Sequence, residues 1–187
     1  MMSLSVAKVR PRLINCIRVG RCSDPAKPHA ARLHIGHSTI RATLGRSGVS
    51  TLKRDGDGAT PAGRFQIMHG FFRADRLGRF ASQLPLLVMR PTDGWCDDPK
   101  SALYNCQVSA GHRSSHECLW RSDEIYDVVF TTSHNLRPRV RGAGSAIFFH
   151  VAREDYSPTQ GCIAISAADM RRLLPRLSKK PVIEIRR

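Results

Sequence analysis

Two short apolar runs near the end of the chain constrain its fold most strongly. Residues 147–149 (Ile-Phe-Phe) and 163–165 (Ile-Ala-Ile) are rich in β-branched and aromatic residues, and such short runs predict buried strands. His150 ends the first run, and Gly161-Cys162 opens the second. A hairpin-like path through the polar loop between them would bring His150 beside Cys162.

This pair of side chains suits nucleophilic catalysis. A cysteine thiol needs a base to take its proton, and His150 is the candidate base for Cys162. The N–H groups of Gly161 and Cys162 are candidates for holding an oxyanion. A neighbouring histidine can also raise the thiolate fraction of a thiol at neutral pH. Taken alone, Cys162 would more often be a buried apolar residue, but the two residues together favour catalysis.

The sequence around Cys162 resembles the L,D-transpeptidases of the YkuD type. Their signature is a His, a loop, then Ser or Thr, a variable residue, Gly and Cys, and Thr159-Gln160-Gly161-Cys162 fits its ending. Other segments resemble a compact, single-domain branch of this family: TLGRSGVS (43–50), KRDGDGATPAGRF (53–65), FFRADR (71–76), DGWCDDP (93–99), LYNCQV (103–108), LWRSDEIYDVV (119–129) and GSAIFFHVA (144–152).

The resemblance implies a mainly β, β-sandwich-like catalytic fold with a few short helices, and an activity on peptidoglycan stem peptides without a cofactor. Cys162 would form a thioester with one stem, and the amine of a second stem would resolve it into a crosslink of the 3-3 or the 1-3 type. His150 would be the base, oriented by the backbone carbonyl of Val151. Water as acceptor would make an L,D-carboxypeptidase, and another amine would make an exchange enzyme. Carbapenem-type β-lactams would be covalent inhibitors.

Two features depart from the family pattern. The loop before Cys162 is shorter than in most members, and Gln160 stands where many carry a second His. We expect Gln160 and Thr159 to contact the substrate. Trp95 and Asp97 belong either to a capped turn or to the cleft, where an exposed Trp95 would form an apolar wall and Asp97 would accept a substrate ammonium. The remaining substrate-binding candidates lie in the polar segments that resemble the family: Arg64, Arg73, Arg76, Tyr104 and Asn105.

The chain is strongly basic. Its 187 residues carry a formal net charge of +15, with 24 Arg against 6 Lys. This charge suits nucleic acid, an acidic membrane surface or a carboxylated substrate equally well. No nucleic-acid-binding motif is present, so we do not expect nucleic acid as a partner. Arginine binds carboxylates through its planar fork, so the charge agrees with the carboxylated stem peptides that the resemblance implies, but it does not select them. A non-catalytic module that binds cell wall or another polyanion is the alternative, against which the intact His150 and Cys162 argue.

The length favours one domain, which we place at residues 32–187, after a basic and partly extended segment at 1–31. That segment has no readable secretory signal, although the resemblance implies a periplasmic enzyme. No stretch approaches the roughly 18 apolar residues of a membrane span, so we expect no integral membrane association.

Cysteines and histidines leave two further options open. Cys106 and Cys118 flank a polar loop and could pair in an oxidising compartment, while free thiols are the alternative. His112, His116 and Cys118 have a spacing compatible with zinc, but a fourth ligand is not evident nearby, so we expect a surface loop and no metal site.

The remaining pattern predicts a chain dominated by strands. Ser166 and Asp169 predict the N-cap of a helix that Pro175 ends or kinks, and a second short helix is predicted over 115–120. Strands are predicted near 13–19, 32–36, 39–45, 64–69, 86–90, 127–133, 145–151, 162–166 and 181–186.

Overall fold

The computed structural model describes residues 13–22, 24–78, 81–109 and 111–187. Helix α1 spans Ala167–Leu173 and continues into a 3-10 turn at Leu174–Arg176. The strands within the described ranges are β1 (Ile14–Arg21), β2 (Ala30–Ile35), β3 (Ser38–Thr43), β4 (Val49–Ser50), β5 (Thr60–Pro61), β6 (Gly63–Phe72), β7 (Leu86–Val88), β8 (Asp93–Cys96), β9 (Gln107–Ser109), β10 (His116–Cys118), β11 (Val128–Thr132), β12 (Phe148–Val151), β13 (Ile163–Ile165) and β14 (Leu177–Ile185).

Most of the strands belong to one sheet that closes on itself. Their order is β11-β12-β13-β3-β2-β1-β14-β6-β7, and β11 also pairs with β6. The mainly β fold is therefore confirmed. Strand β1 lies between β2 and β14, so the sheet includes part of the basic segment 1–31. The division of the chain at residues 31 and 32 stays a prediction.

Most predicted elements are present. The hairpin prediction is confirmed by the antiparallel pairing of β2 with β3. Helix α1 begins after Ser166, whose Oγ accepts a hydrogen bond from the Asp169 N–H at 3.1 Å. The predicted helix over 115–120 is wrong, because His116–Cys118 forms β10 and pairs with β8. Strands β10, β8 and β9 make a separate three-stranded sheet.

Side chains of the central strands alternate between two cores. Phe149 of β12 and Ile163 of β13 pack into the larger core, to which β1, β2, β3, β6, β11 and β14 also contribute. Phe148 and Cys162 pack into a smaller core with Trp95 of β8. Successive residues of a strand point to opposite faces, so the even-numbered residues of β12 and β13 share this second face. Cys162 thus lies where the closed sheet meets the three-stranded sheet.

The two-core arrangement can be tested with Phe148→Leu and Phe149→Leu. Both phenylalanines are fully buried, so each change should lower the free energy of unfolding by about 1–2 kcal/mol in denaturant titrations. Phe148 contacts the rings of Trp95 and Tyr126 on the Cys162 face. Only Phe148→Leu should therefore change the rate at which iodoacetamide alkylates Cys162. Equal changes in both variants would contradict the arrangement.

Candidate active site

Strands β12 and β13 are parallel neighbours. Phe149 pairs with Ile163, and His150 pairs with Ala164. The strands are adjacent as expected, but the predicted hairpin-like path is wrong in direction. Cys162 lies two positions before the partner of His150 on the same face, a diagonal that spans roughly 7–8 Å between Cα atoms in a sheet. The register therefore brings the predicted nucleophile and base to one surface.

The Cys162 thiol is buried and forms hydrogen bonds with the backbone of residues 146–148. Its Sγ donates to the Ala146 carbonyl oxygen at 3.2 Å and accepts from the Phe148 N–H at 3.3 Å. Burial raises the pKa of the thiol to about 12, and the negative charge of Glu117 adds to this effect. The Phe148 N–H and the Lys53 ammonium act in the opposite direction on this pKa but do not offset burial.

His150 is oriented by the backbone. Its Nδ1 lies 2.8 Å from the Val151 carbonyl oxygen, the contact that the sequence analysis expected. A ring that donates from Nδ1 to this oxygen has Nε2 as its basic nitrogen. Burial lowers the pKa of His150 to about 4, although the carbonyls of Val151 and Ile125 favour the charged form. The Tyr126 ring packs at right angles to the imidazole, with the ring centroids 5.2 Å apart.

The resting pair is therefore a neutral thiol beside a neutral imidazole. The expectation that His150 raises the thiolate fraction is wrong for the resting site, because burial disfavours the charged forms of both groups. The hydrogen bonds of the thiol run to Ala146 and Phe148, and that of the imidazole runs to Val151, so none joins the two side chains. Burial of both groups thus favours proton transfer that accompanies attack on a substrate over transfer that precedes it.

Gly161 allows the backbone just before Cys162 to pack closely against Ala59 and Ile147. Its φ is +134°, and a Cβ there would lie 2.8 Å from the Ala59 carbonyl oxygen and 3.1 Å from Ile147 Cδ1. The Gly161 N–H donates to Thr159 Oγ1 at 3.2 Å, and the Thr159 hydroxyl donates to the Cys162 carbonyl at 2.7 Å. Thr159 thus shapes the turn, and the Gly161 N–H must exchange this bond before it can hold an oxyanion.

Cys162 and His150 line one cavity of about 730 Å³. The glycine-rich segment 53–65 contributes Lys53, Asp55 and Gly56 to its wall. The charged lining residues balance closely, with four carboxylates and three cations: Asp55, Asp97, Asp98, Glu117, Lys53, Arg121 and Arg153. The substrate-binding candidates that line the cavity are Asp97, Thr159 and Gln160.

Trp95, Tyr104 and Asn105 lie behind this cavity. Trp95 is only 4% exposed, so the expectation of an exposed apolar wall is wrong. Asn105 Oδ1 accepts from Trp95 Nε1 at 2.8 Å and from the Ala146 N–H at 3.1 Å. The Tyr104 hydroxyl donates to Asp55 at 2.6 Å. Because the Ala146 carbonyl accepts from the thiol, Asn105 supports the backbone under the nucleophile instead of contacting the substrate.

The three predicted arginines lie outside the cavity lining. Arg64 is exposed on β6. Arg73 is buried and binds Asp75 at 2.7 Å, and Arg76 binds Asp127 at 2.8 Å. Direct substrate contact by these arginines finds no support in the geometry, because two of them are engaged by neighbouring carboxylates and none reaches the cavity wall.

The sequence analysis missed residues that build the cavity wall, namely Lys53, Glu117, Arg121 and Tyr126. Residues 119–129 resembled the family as a block, but they contain no nucleophile, ligand spacing or glycine pattern that singles out a role. Placing a strand at 116–118 would have put Glu117 beside Trp95, its partner in β8. That pairing is the signal that could have found it.

The structure answers the question of cysteine pairing. All six cysteines are free thiols, so Cys106 and Cys118 are not paired. Across residues 13–22, 24–78, 81–109 and 111–187, no group of three or more His, Cys, Asp or Glu side chains could hold a metal ion. Within the same ranges, no helix has the length and apolar character needed to cross a membrane.

Fold and site together define a mainly β domain with a cysteine and a histidine in one polar cavity. A family model described as the L,D-transpeptidase catalytic domain, YkuD, matches residues 31–185. The chain belongs to this family, which acts on peptidoglycan stem peptides. A search of curated proteins found no match.

The neutral resting pair predicts a distinctive pH profile. Because the pKa of Cys162 is raised to about 12, its alkylation by iodoacetamide should rise about tenfold per pH unit from pH 6 to 10, without a plateau. Peptide mass spectrometry resolves Cys162 from the exposed Cys118, which should react faster at pH 7. A plateau for Cys162 near neutral pH would instead reveal a thiolate paired with a protonated His150.

Proposed function

We propose that this protein is a peptidoglycan L,D-transpeptidase that forms crosslinks through a thioester on Cys162. One observation carries the proposal: Cys162 and His150 line the same cavity, and the Val151 carbonyl holds Nδ1 of His150 so that Nε2 is the basic nitrogen. Family membership supports stem peptides as substrates.

In the first step of 3-3 crosslinking, the usual case in the family, Cys162 Sγ attacks the carbonyl carbon at the L-centre of a stem-peptide diaminopimelate while its proton passes to His150 Nε2. The oxyanion is held by the N–H groups of Gly161 and Cys162. The peptide C–N bond then breaks, and the terminal D-alanine leaves with the proton from His150. A thioester remains on Cys162.

In the second step, the amine of another stem attacks the thioester carbonyl and passes a proton to His150. The C–S bond breaks, the proton returns to the thiol, and a new amide joins the stems. Both steps avoid a free thiolate, which agrees with the burial of the pair. Since stem-peptide crosslinks form outside the cytoplasmic membrane, we propose the periplasm as the site of action.

Muropeptide analysis after incubation with purified peptidoglycan tests this function. Formation of 3-3 links should release D-alanine, and formation of 1-3 links should release the donor stem without its first residue. Both should yield new dimers, whose fragmentation tells the two link types apart. Shortened monomers alone would identify a carboxypeptidase, and incorporation of an added D-amino acid would identify an exchange enzyme. Unchanged muropeptides with peptidoglycan bound would favour the non-catalytic binding module.

Cys162→Ala should abolish both crosslinking and covalent addition of a carbapenem, since no nucleophile remains. His150→Ala should slow both reactions by about 10² to 10⁴, the usual contribution of general acid–base catalysis. Intact-protein mass spectrometry measures the adduct, and circular dichroism checks that each variant is folded. Turnover by folded Cys162→Ala would contradict the thioester mechanism, and a wild-type rate in His150→Ala would remove His150 as the base.

Gln160→His should preserve turnover but change its pH dependence. Gln160 accepts a hydrogen bond from Arg46 Nη1 at 3.3 Å and cannot titrate near neutral pH, whereas histidine can. Protonation beside the Arg46 guanidinium is unfavourable, so the added pH step should lie below about 6.5. Gln160→Leu is the control, because it removes the acceptor without adding a titrating group. Complete inactivation by Gln160→His would show that the short loop excludes the residue many relatives carry.

A further inference from the structure

A buried lysine beside the nucleophile has no role in the proposed steps. Lys53 lines the same cavity as Cys162 and His150. An oxyanion that forms on a substrate attached to Cys162 needs N–H donors or positive charge close by. The Gly161 N–H is engaged by Thr159 Oγ1 at 3.2 Å in the resting site, so a further source of positive charge at this place has chemical value.

The Lys53 side chain runs between two glycines that flank the thiol. A Cβ on Gly144 would lie 2.9 Å from Lys53 Cγ and 3.2 Å from Lys53 Cε, and a Cβ on Gly161 would lie 3.6 Å from Lys53 Cε. Gly161 directly precedes Cys162, and Gly144 comes shortly before Ala146, whose carbonyl oxygen accepts from the thiol at 3.2 Å. The end of the lysine side chain is therefore close to both backbone segments that this hydrogen bond connects.

Asp57 holds the ammonium in place. The Lys53 side chain is 7% exposed, and its Nζ donates to Asp57 Oδ1 at 2.6 Å and to the Arg54 carbonyl oxygen. Asp57 also accepts from the N–H groups of Arg54 and Ala59, both at 2.8 Å, which fixes the carboxylate. An ammonium has three N–H donors. Among the hydrogen bonds of the described residues, none uses the third donor of Lys53.

The ion pair presents its cation to the cavity. Lys53 belongs to the cavity lining, whereas Asp57 lies outside it. Burial raises the pKa of Cys162, and the Lys53 ammonium is among the groups that lower this pKa. That effect agrees with the contacts, which place the lysine near the reacting atoms. In a site largely screened from water, a fixed positive charge acts more strongly on a developing negative charge than it would in water.

We propose that Lys53 supplies positive charge to the oxyanion of acyl transfer, together with the N–H groups of Gly161 and Cys162. The inference rests on the thioester chemistry of the proposed function. When the thiol sulfur attacks the carbonyl carbon, an electron pair of the C–O double bond moves to oxygen, and it returns when the leaving group departs. Lys53 stays protonated throughout and forms no covalent bond, so its contribution is electrostatic.

Two reactions of Cys162 separate this effect from a change in the thiol itself. Acetylation by p-nitrophenyl acetate passes through an oxyanion, whereas alkylation by iodoacetamide does not. Both depend on deprotonation of the thiol, so a change in its pKa affects both rates. The ester is uncharged, so recognition of a substrate carboxylate plays no part. The ratio of the two rates, measured at Cys162 by peptide mass spectrometry, therefore reports on stabilisation of the oxyanion.

Lys53→Met removes the charge and keeps an apolar side chain. The ratio of acetylation to alkylation should fall by about tenfold to a hundredfold, up to the loss seen when an oxyanion-hole donor is removed. The kcat of crosslinking should fall similarly with little change in KM. Lys53→Arg keeps the charge and should recover much of the ratio. Lys180→Met makes the same charge change at an exposed residue of β14 outside the cavity lining, and it should match the wild type.

An unchanged ratio in Lys53→Met, with folding checked by circular dichroism, would overturn the proposal. A loss confined to KM for stem peptides would overturn it too, because Lys53 would then bind a substrate carboxylate. If Lys53→Met does not fold, Lys53→Gln keeps N–H donors without the charge, and a wild-type ratio there has the same meaning. A wild-type protein that is acetylated at Cys162 but forms no crosslinks would refute the transpeptidase function, while the ratio would still test Lys53.

Discussion

The parallel register of β12 against β13 is the constraint on which the site depends. It pairs His150 with Ala164 and leaves Cys162 two positions earlier on the same face. The odd-numbered residues of both strands fill the larger core, so a slip by one residue would turn the reactive side chains into that core and turn the odd-numbered apolar side chains toward the cavity. Residues 147–149 and 163–165 therefore specify the chemistry indirectly. They fix the register, and the register fixes the pair.

Burial then determines the ionisation of that pair. In an exposed site, an imidazole near a thiol would favour the ion pair, but here burial raises the pKa of Cys162 and lowers that of His150. The cost of separating charge must be met when a substrate carbonyl and its oxyanion donors are in place. Thiolates react with oxidants and bind metals much more readily than thiols do. The neutral resting state therefore also limits side reactions of Cys162.

The catalytic pair and most of the strands could be predicted because short sequence patterns mark them. Gly161-Cys162 and His150 stand in a recognisable pattern, and strands are evident where β-branched and aromatic residues cluster. The direction of β13 could not be read, because apolar runs predict a strand while the path of the connecting loop decides its orientation. Strand β10 has three residues, too few to show a period, so a helix was predicted there. Composition likewise could not tell an exposed Trp95 from one buried against Phe148.

Some of the many arginines have a structural role that the net charge does not reveal. The Arg73 and Arg76 guanidinium groups donate to the carbonyl oxygen of Arg121, and Arg76 donates further to those of Ser122 and Asp123. One planar group with five donors can hold several carbonyls of a loop at once, which a lysine ammonium does with less geometric definition. This loop carries Arg121 into the cavity wall. Lysine at these positions would keep the net charge of +15 and weaken the wall beside Cys162, so the preference for Arg over Lys here follows from the shape of the site and not from its charge.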